Sequence, residues 1–152
     1  MVSFLMRRFL KYWLPVLLWS IFIFAGSTDL MSPEHTSRFL VPFLRWLAPD
    51  ISDSAVWIIQ LCVRKGAHLV EYAVLTALLF RAFQRGRSDF WRTATLTLVA
   101  AIIYASLDEF HQTFVPSRTG MPWDVMVDSA GAIAALLLIR ICVRRLDRRQ
   151  TA

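Results

Sequence analysis

The sequence predicts an all-α polytopic membrane protein with four transmembrane helices, both termini cytoplasmic, and an amphipathic loop or helix on the outer face. Three observations carry this. The 152 residues are 57% hydrophobic, with mean hydropathy +0.50, an apolar excess above that of an ordinary soluble domain. The apolar residues come in four blocks, each approaching the roughly 20 helical residues that a bilayer core requires. The basic residues, which give a net charge of +6, gather between those blocks. A basic chain can signal a nucleic-acid partner, but this placement is that of topology signals, and no nucleic acid is expected. The length fits one domain, 1–152.

The first span is expected over about 10–27, around "YWLPVLLWSIFIFAG", behind Arg7, Arg8 and Lys11. A basic start, a short apolar core and small residues also fit a cleaved signal peptide. The Trp-rich, Pro-bearing core favours a retained anchor, and cleavage would leave the other spans in the same orientation. The connection that follows contains "HTSRFLVPFLRWLAPD". Phe39, Phe43, Trp46 and Leu47 recur there at roughly helical spacing, interrupted by Pro42. This segment reads as a short amphipathic helix on the outer interface or as a cap packed over the bundle.

The second span is expected over 63–83, with a start as early as "SAVWIIQLCV". The third is expected over 92–112 and the fourth over 123–143. Arg81, Arg85, Arg87 and Arg92 flank the loop between spans two and three, and Arg140, Arg144, Arg145, Arg148 and Arg149 close the chain. With both termini inside, all the basic clusters are cytoplasmic, as the positive-inside rule requires. Arg81 and Arg140 can snorkel to the headgroups. Cys62 and Cys142 then lie near opposite faces, which argues for packing roles rather than a disulfide. His beside Asp or Glu could bind a divalent metal, but no HExxH, CxxC or GxSxG occurs, so no metal and no cofactor is expected. No internal repeat or broken central helix suggests a transporter.

This topology brings three polar clusters to the outer end. "RKGAHLVEY" begins span two, "LDEFHQ" ends span three, and "SRTGMPWDVMVD" leads into span four. At about 100° per residue, Arg64, His68, Glu71 and Tyr72 share one helix face. Asp108, His111 and Gln112 share another, with Glu109 on its flank. Asp124, Asp128, Gly131 and Ala135 align on span four, and the small residues should turn both aspartates into the bundle. A charge at the bilayer centre costs about 2.5–3.5 kcal/mol on insertion scales, less in the outer leaflet, so these groups need partners. Arg64, Lys65, Arg118 and the histidines are available.

The residue types limit the chemistry. His111 or His68 beside Asp108, Glu109 and Glu71 suits general acid/base or nucleophilic work. Arg118 and Arg64 suit a phosphate or carboxylate. Lys65, Tyr72, Gln112, Asp124 and Asp128 complete a candidate substrate- or anion-binding set. The competing reading is an ion-pair network that only clamps helices.

"RKGAHLVEYAVL" followed by "YASLDEFHQTFVPSRTGMPWDVMVDSAGA" resembles the VanZ-like family of small bacterial membrane proteins. The matching positions are Lys65, His68, Glu71 and Tyr72; then Asp108, Glu109, His111, Gln112, Phe114, Pro116 and Arg118; then Asp124, Asp128 and Gly131. Asp128 departs from the asparagine common there, and Ser117 from glycine. The name-giving member is associated with low-level resistance to teicoplanin, a lipid-tailed glycopeptide. The resemblance implies a fold and a phenotype class rather than a reaction. The expected protein sits in the bacterial inner membrane and binds or processes an anionic amphiphile, such as a membrane lipid or a lipid-linked cell-wall precursor. In the enzymatic version His111 is the acid/base or nucleophile, oriented by Asp108, with Arg118 on the anion. The alternative is a structural or accessory subunit. Homo-oligomerisation stays open.

Overall fold

The computed structural model describes residues 2–28, 33–85, 89–118 and 120–150. They form five helices: α1 (Val2–Gly26), α2 (Pro33–Leu47), α3 (Asp53–Phe83), α4 (Phe90–Gln112) and α5 (Pro122–Gln150). Four of these contain stretches long and apolar enough to cross a membrane: Met6–Gly26, Asp53–Phe83, Phe90–Gln112 and Pro122–Leu146.

Local chemistry sets the helix starts. Ser52 caps α3 by accepting a hydrogen bond from the Ala55 amide, with Asp53 in the first turn. Asp89 caps α4 through the Trp91 and Arg92 amides. Pro122 opens α5 at a position that has no helical N–H to lose. Pro15 lies inside α1. α2 runs through Pro42 without the expected interruption. Arg38, four residues earlier, is exposed, so the carbonyl deprived of its bond can be solvated.

α3 is the spine of the bundle, packed against each of the other four helices. It starts at Asp53, one residue before the early start expected at Ser54. At about 1.5 Å per residue its 31 residues span roughly 46 Å, beyond a hydrocarbon core of about 30 Å. α2 packs on α3, tied by the Gln60 side chain donating to Ser37 Oγ at 2.8 Å. Phe39, Phe43, Trp46 and Leu47 on α2 are all exposed. The amphipathic element therefore packs on α3 and presents its apolar face outward, the orientation an interfacial helix takes.

Small buried residues allow close approach. Ala101, Ala105, Ala132 and Ala135 are buried between helices. A Cβ on Gly131 would lie 2.2 Å from the Leu69 carbonyl oxygen, so α5 crosses α3 where only glycine fits. Leucines and isoleucines such as Leu18, Ile21, Ile103, Leu137 and Leu138 point outward, the pattern of a lipid-facing surface. Cys62 and Cys142 are free and exposed, outside the packed interior where the sequence placed them.

The two ends of the bundle differ. At one, Arg81 and Arg85 lie over the Tyr12 ring and Arg140 over Phe90 and Trp91. Carboxylates gather at the other.

Candidate functional site

The carboxylate end is built by four helices. Lys65 of α3 pairs with Asp124 of α5. One turn further in, His68 Nδ1 meets Asp128 Oδ1 at 3.2 Å. Both contacts depend on the close α3–α5 crossing at Gly131. Asp128 is fully buried, as is Tyr72, and Asp108, Glu109, Gln112 and Asp124 are buried too.

α1 closes the site from the other side. Ser27 Oγ donates toward Asp108, 2.6 and 2.8 Å from its two oxygens, and Gln112 Nε2 adds a bond of 3.2 Å. Trp19 Nε1 donates to the Glu71 carbonyl at 2.9 Å, and Tyr104 Oη to the Ser20 carbonyl at 2.6 Å. Arg118 Nη2 donates to the carbonyls of Gly26 (2.5 Å) and Thr28 (3.5 Å), capping the negative end of α1. Burial and the nearby Arg64 lower the Arg118 pKa below its ordinary value, against Asp108, Glu71 and Glu109; a guanidinium stays charged regardless.

The loop after α4 folds back over Glu109. The Met121 amide donates to Glu109 Oε2 at 2.9 Å, and a Cβ on Gly120 would lie 2.4 Å from the Glu109 carbonyl oxygen. Several buried polar atoms here have no hydrogen-bond partner among the described residues: Tyr72 Oη, Glu109 Oε1, His111 Nδ1 and Asp128 Oδ2. Such atoms are costly in a low-dielectric interior and mark places where a ligand can be accommodated.

A cavity of about 390 Å³ opens beside this network, between the end of α1, α2 and the first half of α3. Phe22, Trp57, Leu61 and Val63 give it an apolar wall, and Thr36, Ser37 and Gln60 a polar rim. Of the expected site residues, Arg64, His68, Glu71 and Arg118 line it. Among the described residues, neither the Arg64 guanidinium nor the Glu71 carboxylate makes a hydrogen bond or ion pair. Lys65, Tyr72, Asp108, Glu109, His111, Gln112, Asp124 and Asp128 stand outside the lining, and most of them are held in the network.

The partnership of His111 differs from expectation. Asp108 is engaged by Ser27 and Gln112, and the His111 ring lies against Phe24, with centroids 4.5 Å apart. The histidine held by a carboxylate is His68. Glu109, expected on the flank, sits with His68 and Asp128. Sequence reasoning also missed Ser27 and Trp19, because a polar or aromatic residue near a span end carries no periodic signal.

Four apolar helices enclosing a buried polar cluster define a multi-pass helical membrane protein with a site at one end. Within that class the chain belongs to the VanZ/LLP1 family, whose model matches residues 9–143 and so includes every site residue described above. No curated protein and no solved structure matches the chain.

Proposed function

We propose that the protein holds the head of an anionic amphiphile, a membrane lipid or lipid-linked cell-envelope precursor, from the outer side of the bacterial inner membrane. The observation that carries this is Arg64. Its guanidinium lines the cavity with no hydrogen bond or ion pair among the described residues, beside Arg118 and against an apolar wall. An unpaired charge in such a place is unfavourable unless a counter-charge arrives. The volume falls in the range of roughly 300–1,000 Å³ typical of small-ligand pockets. The outward orientation rests on the basic clusters at the opposite end.

Binding alone satisfies these groups. Turnover would add His68, oriented by Asp128, and Glu71 as proton carriers at the cavity. The structural-subunit reading draws on different contacts, those of Lys65 with Asp124, Ser27 with Asp108 and Arg118 with Gly26, which lock helices together. It gives no role to Arg64 or Glu71.

The test is binding of a polyprenyl phosphate and of the parent alcohol to the purified protein in detergent, followed by native mass spectrometry. The phosphate should bind at least about tenfold tighter, and Arg64→Gln should remove that preference. Equal binding of phosphate and alcohol by the wild type would overturn the reading. A cellular counterpart is sensitivity to a lipid-tailed glycopeptide, compared between wild type and Arg64→Gln.

A further inference from the structure

We infer that His68, Glu109 and Asp128 form a binding site for one divalent metal ion, at the junction of α3, α4 and α5. One ligand atom from each lies within 4.8 Å of the other two. Bonds of about 2.1 Å put ligand atoms about 3.4 Å apart on a tetrahedral edge and about 3.0 Å apart on an octahedral edge. The three side chains therefore need to draw in by less than about 1 Å, without backbone movement. The 3.2 Å between His68 Nδ1 and Asp128 Oδ1 already matches a coordination edge.

Two further observations point to a cation. Glu109 Oε1 and Asp128 Oδ2 are buried carboxylate oxygens with no partner among the described residues, on residues only 5% and 0% exposed. The other Glu109 oxygen is held by the Met121 amide, which orients the carboxylate as supporting contacts to metal ligands do. Charge gives the second argument. Lys65 holds Asp124, whereas among the described residues neither Glu109 nor Asp128 makes an ion pair with a Lys or Arg, which leaves two buried carboxylates without a permanent cation. A divalent ion on a neutral imidazole and two carboxylates neutralises both.

The donor set of one nitrogen and two carboxylates fits Zn²⁺, Mn²⁺ or Fe²⁺ better than the all-oxygen ions. The three ligands leave coordination positions open. Because His68 also lines the cavity, an ion there lies beside the proposed headgroup site. The absence of a metal motif in the sequence has a simple cause: the ligands come from three helices, at positions with no shared spacing.

The test uses the full-length protein in detergent, stripped with chelator and titrated with Zn²⁺, with Co²⁺ as an absorbing probe. One ion should bind per chain, raise the thermal midpoint and give a cobalt visible spectrum. Glu109→Gln and Asp128→Asn should each weaken binding at least tenfold. Both amides preserve shape and remove a buried charge, so the chelated variants should melt no lower than the chelated wild type. That comparison separates lost binding from lost folding. No saturable binding by the wild type, or undiminished binding by both variants, overturns the site. Neither readout involves an amphiphile, so the metal site and the headgroup reading can fail separately.

Discussion

His68 Nδ1 lies 3.2 Å from Asp128 Oδ1, tying the middle of α3 to α5 where Asp128 is fully buried. The contact is possible because Gly131, less than one turn further on, lets α5 approach the α3 backbone at Leu69. The site thus depends on a steric feature on the same face as its polar groups.

Gly131→Ala should therefore be disruptive. Its Cβ would meet a backbone carbonyl, which cannot rotate away, and α3 and α5 must separate. Overpacking of this kind costs about 1–3 kcal/mol. Gly66, also in α3, has nothing within 4 Å of a new Cβ. Gly66→Ala should be neutral or stabilise by up to about 1 kcal/mol. Thermal unfolding of both variants in one detergent checks the contrast, and equal midpoints would refute it.

The alignment of Asp124, Asp128 and Gly131 was legible because helix period and small residues both point inward. That Asp108 and Gln112 share a face was legible from helix period, while their burial shows only in the packed structure. Which histidine would hold a carboxylate was not legible. Helical phase tells which face a side chain occupies, but not that Ser27 arrives from α1 and takes Asp108. The early start of α3 was legible in the apolar run from Ser54, and the Ser52 cap with Asp53 in the first turn fixes it. The outward face of α2 depended on tertiary packing, which the spacing of Phe39, Phe43 and Trp46 could not decide.

That outward face predicts that α2 contacts the membrane interface. Trp46 is exposed beside Phe43, with ring centroids 6.1 Å apart. A variant retaining only Trp46 among the tryptophans should be quenched by lipids brominated near the headgroup more than by lipids brominated near the chain end. Insensitivity to both would place α2 away from the interface.

Arg118 should act on α1 before it acts on any ligand. It donates to the carbonyls of Gly26, the last residue of that helix, and of Thr28 just beyond it, where a positive charge also interacts favourably with the helix dipole. Arg118→Ala should raise hydrogen exchange in the last turn of α1 and leave the start of α5 unchanged. Arg118→Lys should restore part of the protection, because it keeps the charge but not the planar fork. Uniform protection in all three proteins would remove the capping role.

Glu71 and Arg64 separate a binding site from a clamp. Both line the cavity, and neither side chain makes an internal hydrogen bond or ion pair among the described residues. Asp108 is the contrast: its carboxylate accepts from Ser27 and Gln112 and joins α1 to α4. Replacing Glu71 by Gln removes a charge that stabilises no helix contact, so the thermal midpoint should stay level or rise. Ser27→Ala deprives a buried carboxylate of its hydroxyl donor, a loss of about 1.5–3 kcal/mol for a hydrogen bond to a charged group. A binding site then predicts divergence. Ser27→Ala lowers stability, while Glu71→Gln and Arg64→Gln change polyprenyl phosphate binding at unchanged stability. A clamp predicts that stability falls in all three and that binding, if any, falls in step. Measuring midpoint and affinity on the same preparations decides between them, because a midpoint that drops for Glu71→Gln would mean its carboxylate holds the fold together.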